Sequence, residues 1–265
     1  MDITQPPVPD PLSRQEYCEI AAQLSAGFLQ SQLLRHKSNR QVHRVLQKGN
    51  HTVIVKLWAR PDWRGTLRRL LRRNISYREW RMLGVLHANG VAVARPLAYC
   101  QPRGPGVKHE EALIMSDLGD CSNGMKYVKQ LILENDVTSL REFEDRVIDI
   151  ISALVEVGIL DLDCSLENFV VTPTGNVFKV DLEHGVHLPL RFNACYGVML
   201  GTMVGTLAFA VQPRIELAEE FSAQLFSRLQ PPTRVLQAAQ VKVNEMMDRQ
   251  RRRCGIDTRV SLAYI

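Results

Sequence analysis

Three oxygen-bearing side chains in the middle of the sequence carry its clearest chemistry. The segment Asp161-Leu162-Asp163-Cys164-Ser165-Leu166-Glu167-Asn168-Phe169-Val170-Val171 is followed by a turn at Pro173-Thr174-Gly175-Asn176 and then by Val177-Phe178-Lys179-Val180-Asp181-Leu182-Glu183. The apolar runs Phe169 to Val171 and Val177 to Val180 have strand length, and the turn makes them antiparallel partners. Asn168 enters the first run and Asp181 leaves the second, so pairing sets those two ends side by side, with Asp163 in the loop just ahead. Two carboxylates and an amide brought to one point form a hard oxygen donor set suited to Mg²⁺.

A second polar pair lies upstream. Lys56 interrupts the apolar run Val53-Ile54-Val55-Lys56-Leu57-Trp58. Such a lysine either reaches a ligand or sits on an edge strand with its head in water. Glu79, within Ser76-Tyr77-Arg78-Glu79-Trp80 on the following helix, is the natural ion-pair partner for it. Ser76 and Glu79 also have capping-box spacing, so Glu79 can instead close the N-terminus of that helix. The histidines compete with neither pair. His36, His43, His51, His87 and His109 lack metal-ligand spacing, and His184 and His187 follow Asp181 in a loop, where solvated or hydrogen-bonded rings are expected.

With these residues the chain resembles the protein-kinase-like superfamily, in which a catalytic-loop Asp is followed five positions later by Asn and then by an Asp opening the metal-binding turn. The resemblance implies that Asp163 orients or deprotonates an acceptor hydroxyl, that Asn168 and Asp181 hold the metal, and that Lys56, paired with Glu79, holds the nucleotide. Lys56, the stretch Arg64 to Arg73, and Tyr77-Arg78-Glu79-Trp80-Arg81-Met82-Leu83 leading to Gly90-Val91 look like the bacterial lipopolysaccharide-core kinases, which phosphorylate heptose or Kdo sugars. That likeness runs from about Leu34 to Leu188. It implies ATP and Mg²⁺ as cofactors, a sugar or lipid-linked sugar as acceptor, and a cytoplasmic enzyme at the inner face of the inner membrane.

The sequence departs from the usual kinase pattern at several points. The turn after the first strand reads Arg35-His36-Lys37-Ser38-Asn39-Arg40 and has no G-x-G-x-x-G; Asp161-Leu162 stand in place of His-Arg, Ser165 in place of the loop lysine, and Leu182-Glu183 in place of Phe-Gly. Without that arginine, no switch by activation-loop phosphorylation is expected. Two other readings stay open: a kinase acting on protein or another small alcohol, and a nucleotide-binding module without turnover.

The elements that must position these residues can be read from the same chain. Apolar runs at Phe28 to Leu34, Val42 to Leu46 and Thr52 to Trp58, the last two joined through Lys48-Gly49-Asn50, predict three antiparallel strands. An arginine-rich helical stretch follows, and then a helix with Tyr77, Trp80, Leu83 and Leu86 on one face, ended by Gly90. Strands at Arg95 to Cys100 and Ala112 to Ser116 are joined by a loop containing Gly104 and Gly106. From Ser139 the pattern is helical, with a capping box to Glu142 and a stripe of Phe143, Val147, Ile150, Ile151, Leu154 and Val155. Strands gather before helices, which predicts an α+β chain of protein-kinase-like type with a small antiparallel-sheet lobe and a mostly helical one. The expected division is a flexible arm at 1–14, a nucleotide-binding lobe at 15–118 and a catalytic, helical lobe at 119–265.

Composition excludes the remaining classes. At 265 residues and 45% apolar content the chain can bury a full core. Six scattered cysteines without a C-x-x-C pair suggest neither a zinc site nor a disulfide framework, which fits a reducing cytoplasm. The first residues show no secretion signal. The uncharged run between Arg191 and Arg214 has the length of a membrane span, but its glycines and threonines favour a buried helix. Net charge is +5, and eight arginines between Arg60 and Arg81 suggest an anionic partner: sugar phosphate, membrane surface or, least of the three, nucleic acid.

Overall fold

A helix that the sequence reading does not anticipate opens the described chain: α1, Arg14–Ala26. Ser13 accepts the Glu16 N–H, and the Glu16 carboxylate accepts the Ser13 N–H at 2.6 Å, so a capping box starts it. Tyr17, Ile20, Ala21 and Leu24 recur at helical spacing and are buried. The computed structural model describes residues 12–37, 39–46, 51–59, 75–254, 260 and 262. Most of the arm expected at 1–14, the turn Lys48-Gly49-Asn50 and the arginine-rich stretch through Arg73 lie outside the described residues.

The chain forms two units, one running to Gly84 and including Ala94–Asp117, the other formed by Val85–Val93 and the chain from Leu118 onward. The first holds a five-stranded antiparallel sheet of β1 (Gln32–Lys37), β2 (Arg40–Leu46), β3 (Thr52–Ala59), β4 (Pro96–Cys100) and β5 (His109–Ser116), in the order β1-β2-β3-β5-β4. The first strand begins at Gln32; Phe28, expected within it, lies in the link after α1 and is exposed. Alternation along β3 divides the sheet's faces. Val53, Val55 and Leu57 pack with α1, Val45, Ala112 and Ile114 in one core, and Lys56 points to the opposite face.

That opposite face carries helix α2, Ile75–Ala88. Its buried stripe is Ser76, Glu79, Met82, Leu83 and Leu86, rotated from the expected one. Tyr77 and Trp80 instead stack on each other with ring centroids 5.7 Å apart, and Tyr77 meets Tyr99 edge-on at 5.3 Å. Gly90, at φ +74°, ends the helix as expected: Gly90 N–H bonds to His87 O and Val91 N–H to Leu86 O, the pattern of a left-handed helix stop.

The second unit is mostly helical, with α3 (Gly124–Glu134), α4 (Val137–Glu156), α5 (Phe192–Ala210), α6 (Ile215–Leu229) and α7 (Thr233–Cys254). Helix α3 is absent from the sequence expectation. Helix α4 is capped by Asp136, which accepts the Ser139 N–H at 3.0 Å, so Ser139 lies inside the helix and the expected capping box to Glu142 does not form. Arg141 bonds Glu220 at 2.8 Å, Gln224 bonds Asp145 at 2.5 Å, and Arg228 pairs with Asp149, a ladder that sets α4 parallel to α6. Helix α5 is long and apolar enough to cross a membrane, but 61% of that window is buried inside the protein. It lies against α7 so closely that a Cβ on Gly201 would stand 2.5 Å from the Ala239 carbonyl oxygen.

Short strands complete this unit. β6 (Ser122–Asn123), β8 (Phe169–Val171) and β9 (Val177–Lys179) form one sheet in the order β6-β8-β9. β7 (Ile159–Asp161) and β10 (Gly185–His187) form a two-stranded ribbon in which Gly185 faces Asp161. The ribbon was not expected; His187 lies in it rather than in a loop.

Candidate active site

The first unit supplies a buried ion pair. Lys56 lies on the central strand, opposite Val42 on one side and Leu113 on the other. Its Nζ stands 2.6 Å from Glu79 Oε1, and both side chains are almost wholly buried. The capping-box alternative for Glu79 is not what forms, because the Ser76 hydroxyl donates to Glu111. A buried charge needs a partner, and here each is the other's. A lysine on a central strand is no solvated edge charge.

The second unit joins two of the three oxygen-bearing residues by hydrogen bonds and sets the backbone of the third next to them. Phe169 pairs with Lys179 and Val171 with Val177, which puts Asn168 beside Val180, and the Val180 N–H bonds to Asn168 O at 2.8 Å. A single 3-10 turn, Leu166–Asn168, then carries the Asn168 side chain back over the loop. Its Nδ2 donates to Asp163 O at 2.7 Å and to Asp163 Oδ2 at 3.3 Å. Both amide hydrogens are thereby committed to Asp163, which leaves the Asn168 Oδ1 as the atom able to donate a lone pair. Asp181 follows at φ +62°, an uncommon left-handed geometry for a side chain with a Cβ. Asp163 itself is exposed, so a ligand can reach it. Partial desolvation, and then the Asp161 charge, raise its pKa above the ordinary carboxylate value, while the Asn168 hydrogen bond, His184 and Lys179 oppose the rise.

Neighbours outside the expected set hold this loop in place. Asn123 caps α3 and donates its Nδ2 to Glu167 O at 2.9 Å. Gly124 follows it, and a Cβ there would meet the Leu166 carbonyl oxygen at 2.7 Å, so the helix start rests directly on the loop backbone. From the other side the Thr206 hydroxyl on α5 accepts the Leu166 N–H at 3.2 Å. Asp161 and Lys179 form a fully buried ion pair at 2.7 Å, and Asp161 Oδ1 accepts the Asp163 N–H at 3.1 Å. The signal for that pair was visible: Lys179, like Lys56, interrupts an apolar strand.

The donor set fits a hard divalent cation. The Asn168 amide oxygen and the Asp181 carboxylate could each serve as an oxygen donor, and a Glu183 carboxylate oxygen lies within 4.8 Å of one from Asp181, a third candidate donor that sequence reasoning passed over. The histidines keep other company. His43 bonds Ser31 at 2.9 Å and Gln41 at 3.0 Å, buried His109 bonds Ser25 at 3.0 Å, and His184 contributes its backbone carbonyl to Leu162.

The model of the lipopolysaccharide kinase (Kdo/WaaP) family matches residues 27–188. Among solved structures, one described as WaaP in complex with acyl carrier protein is similar over 89% of this chain and 98% of that chain, with a TM-score of 0.58 and 15% identity. A second, the kinase domain of a rhoptry antigen from Toxoplasma gondii, is similar over 84% of this chain and 82% of that chain, with a TM-score of 0.53 and 11% identity. At those identities both establish the fold: a kinase-like chain with a small antiparallel-sheet lobe and a helical lobe. No curated protein sequence matches the chain.

Proposed function

The chain belongs to the lipopolysaccharide kinase (Kdo/WaaP) family, and from that premise we propose that this kinase moves the γ-phosphoryl group of ATP to a hydroxyl of a lipopolysaccharide-core sugar. The observation that supports the reading is the hydrogen-bonded unit of Asp163 and Asn168, with Asp181 following Val180, whose N–H bonds to Asn168 O across the β8–β9 hairpin. An unrelated capped loop has no need of all three.

In the proposed reaction the acceptor oxygen forms a bond to the γ-phosphorus while the bond from that phosphorus to the β–γ bridging oxygen breaks, its electron pair leaving with ADP. The acceptor proton passes to the Asp163 carboxylate, whose raised pKa suits it to receive one. Asn168 fixes the carboxylate's orientation through Nδ2. Lys56, held by Glu79, takes the nucleotide phosphates. A magnesium ion bound by Asn168 and Asp181 would neutralise charge on the phosphates. Catalysis of this kind is mostly positioning, which matches a site built from backbone-anchored polar groups.

Three further statements belong to the proposal. The acceptor is lipid-linked, the enzyme works in the cytoplasm at the inner face of the inner membrane, and its basic segments meet anionic lipid there. The family supports the first, and the arginines of the sequence support the last. The test is transfer of label from γ-labelled ATP by purified protein to truncated lipopolysaccharide cores. Label in a core sugar is the expected result. Mg²⁺-ATP binding without transfer to any core would replace the enzyme with a nucleotide-binding module.

A further inference from the structure

We infer that Asp161 and Lys179 are positioning residues for this phosphotransfer, their buried ion pair fastening the loop that carries Asp163 to the turn that carries Asp181. The inference rests on the roles of Asp163 and Asp181 proposed above.

Four contacts meet at this pair. Lys179 Nζ lies 2.7 Å from Asp161 Oδ2, and it also donates to Val180 O at 2.8 Å and to Asp181 O at 3.4 Å. Asp161 Oδ1 accepts the Asp163 N–H at 3.1 Å. One carboxylate and one ammonium thus join the backbone of the catalytic loop to the backbone of the metal turn. Neither side chain has any solvent exposure. The Phe169 ring, with its centroid 5.5 Å from Nζ, adds a face that favours the cation.

Stability does not account for the pair. Desolvating two ions is costly, and replacing a buried pair by apolar residues of like volume is often neutral or stabilising. An apolar pair would fill the same space against Cys164, Phe169 and Met199. It could not accept the Asp163 N–H or donate to two successive carbonyls of the turn. What the ions add over hydrocarbon is the tether, and the tether ends on both residues that chemistry requires to be in register. Sub-ångström placement matters for an in-line transfer.

The test is the double variant Asp161→Leu/Lys179→Met, examined for thermal stability, for turnover with truncated core acceptor, and for amide hydrogen exchange. Expected are a melting temperature within a few degrees of the parent, kcat at least about tenfold lower with KM for ATP within about threefold, and exchange at least about tenfold faster in residues 161–168 and 180–184 alone. A folded double variant with parental kcat and parental exchange would overturn the inference, as would an exchange increase spread evenly through the chain. Should the double variant fail to fold, Asp161→Asn replaces it, with the same local exchange pattern expected and the same uniform pattern contradicting it. Asp163→Ala is run beside them. If it keeps full turnover, the functional reading fails, whereas the exchange data still decide whether the pair tethers the two segments.

Discussion

Glu144 gives a prediction whose size can be worked from the structure. It lies on the buried face of α4 at 5% exposure, and its Oε1 has no hydrogen-bond partner among the described residues. Burial pushes its pKa from 4.5 up to about 8; Arg141 opposes the rise, and Glu220 and Asp145 add to it. The folded protein therefore keeps Glu144 protonated at neutral pH, whereas the unfolded chain ionises it. A raised folded-state pKa contributes stability that is complete below the unfolded value and is lost as pH climbs through the folded one. The window runs from pH 4.5 to about 8. At about 1.4 kcal/mol for each pH unit the ceiling is roughly 5 kcal/mol, and partial solvation of the α4–α6 seam reduces the expectation to about 2–4 kcal/mol. Glu144→Gln removes the titration. In urea unfolding, the variant should match the parent near pH 5 and exceed it progressively up to pH 8. Parallel curves for the two proteins across that range would refute the reasoning.

The other predictions concern the two polar pairs and the helix seam. Lys56→Met leaves the Glu79 carboxylate buried without its ammonium and should cost about 3–5 kcal/mol; Lys56→Met/Glu79→Leu should regain the stability in urea titration but not ATP binding. Asp181→Ala should fold normally and lose the Mg²⁺-ATP stabilisation expected of the parent, about 2.7 kcal/mol at ligand 100-fold above its dissociation constant, read as a thermal shift. Gly201→Ala forces a methyl against the Ala239 carbonyl and should lose roughly 1–3 kcal/mol, despite about 1 kcal/mol gained in helix propensity. Gly84→Ala, with nothing within 4 Å of the new carbon, should stabilise instead by about 0.5–1 kcal/mol.

The parts of the site legible in the sequence are those encoded locally. Asn168 and Asp181 flank a hairpin of two short apolar runs with a glycine turn, and the antiparallel pairing that joins them follows from that pattern alone. Lys56 was legible because a lysine in an apolar strand demands a partner, and Glu79 stood on the next helix. Lys179 obeyed the same logic but its partner Asp161 lies 18 positions earlier, across a loop, so spacing could not connect them. Helix α1 went unread although Ser13 and Glu16 announce a capping box, because its stripe is short and polar residues surround it. The β7–β10 ribbon is three residues long on each side, below the length at which alternation is visible. At α4 the structure caps with Asp136, three residues before the expected Ser139.

The most direct test of the central claim is single-turnover phosphotransfer by Asp163→Asn with Mg²⁺-ATP and a core acceptor that the parent phosphorylates. The substitution keeps shape and removes the proton acceptor. Transfer at least about a hundredfold slower, with nucleotide affinity unchanged, is the predicted result. A parental rate in a folded Asp163→Asn protein would contradict the account.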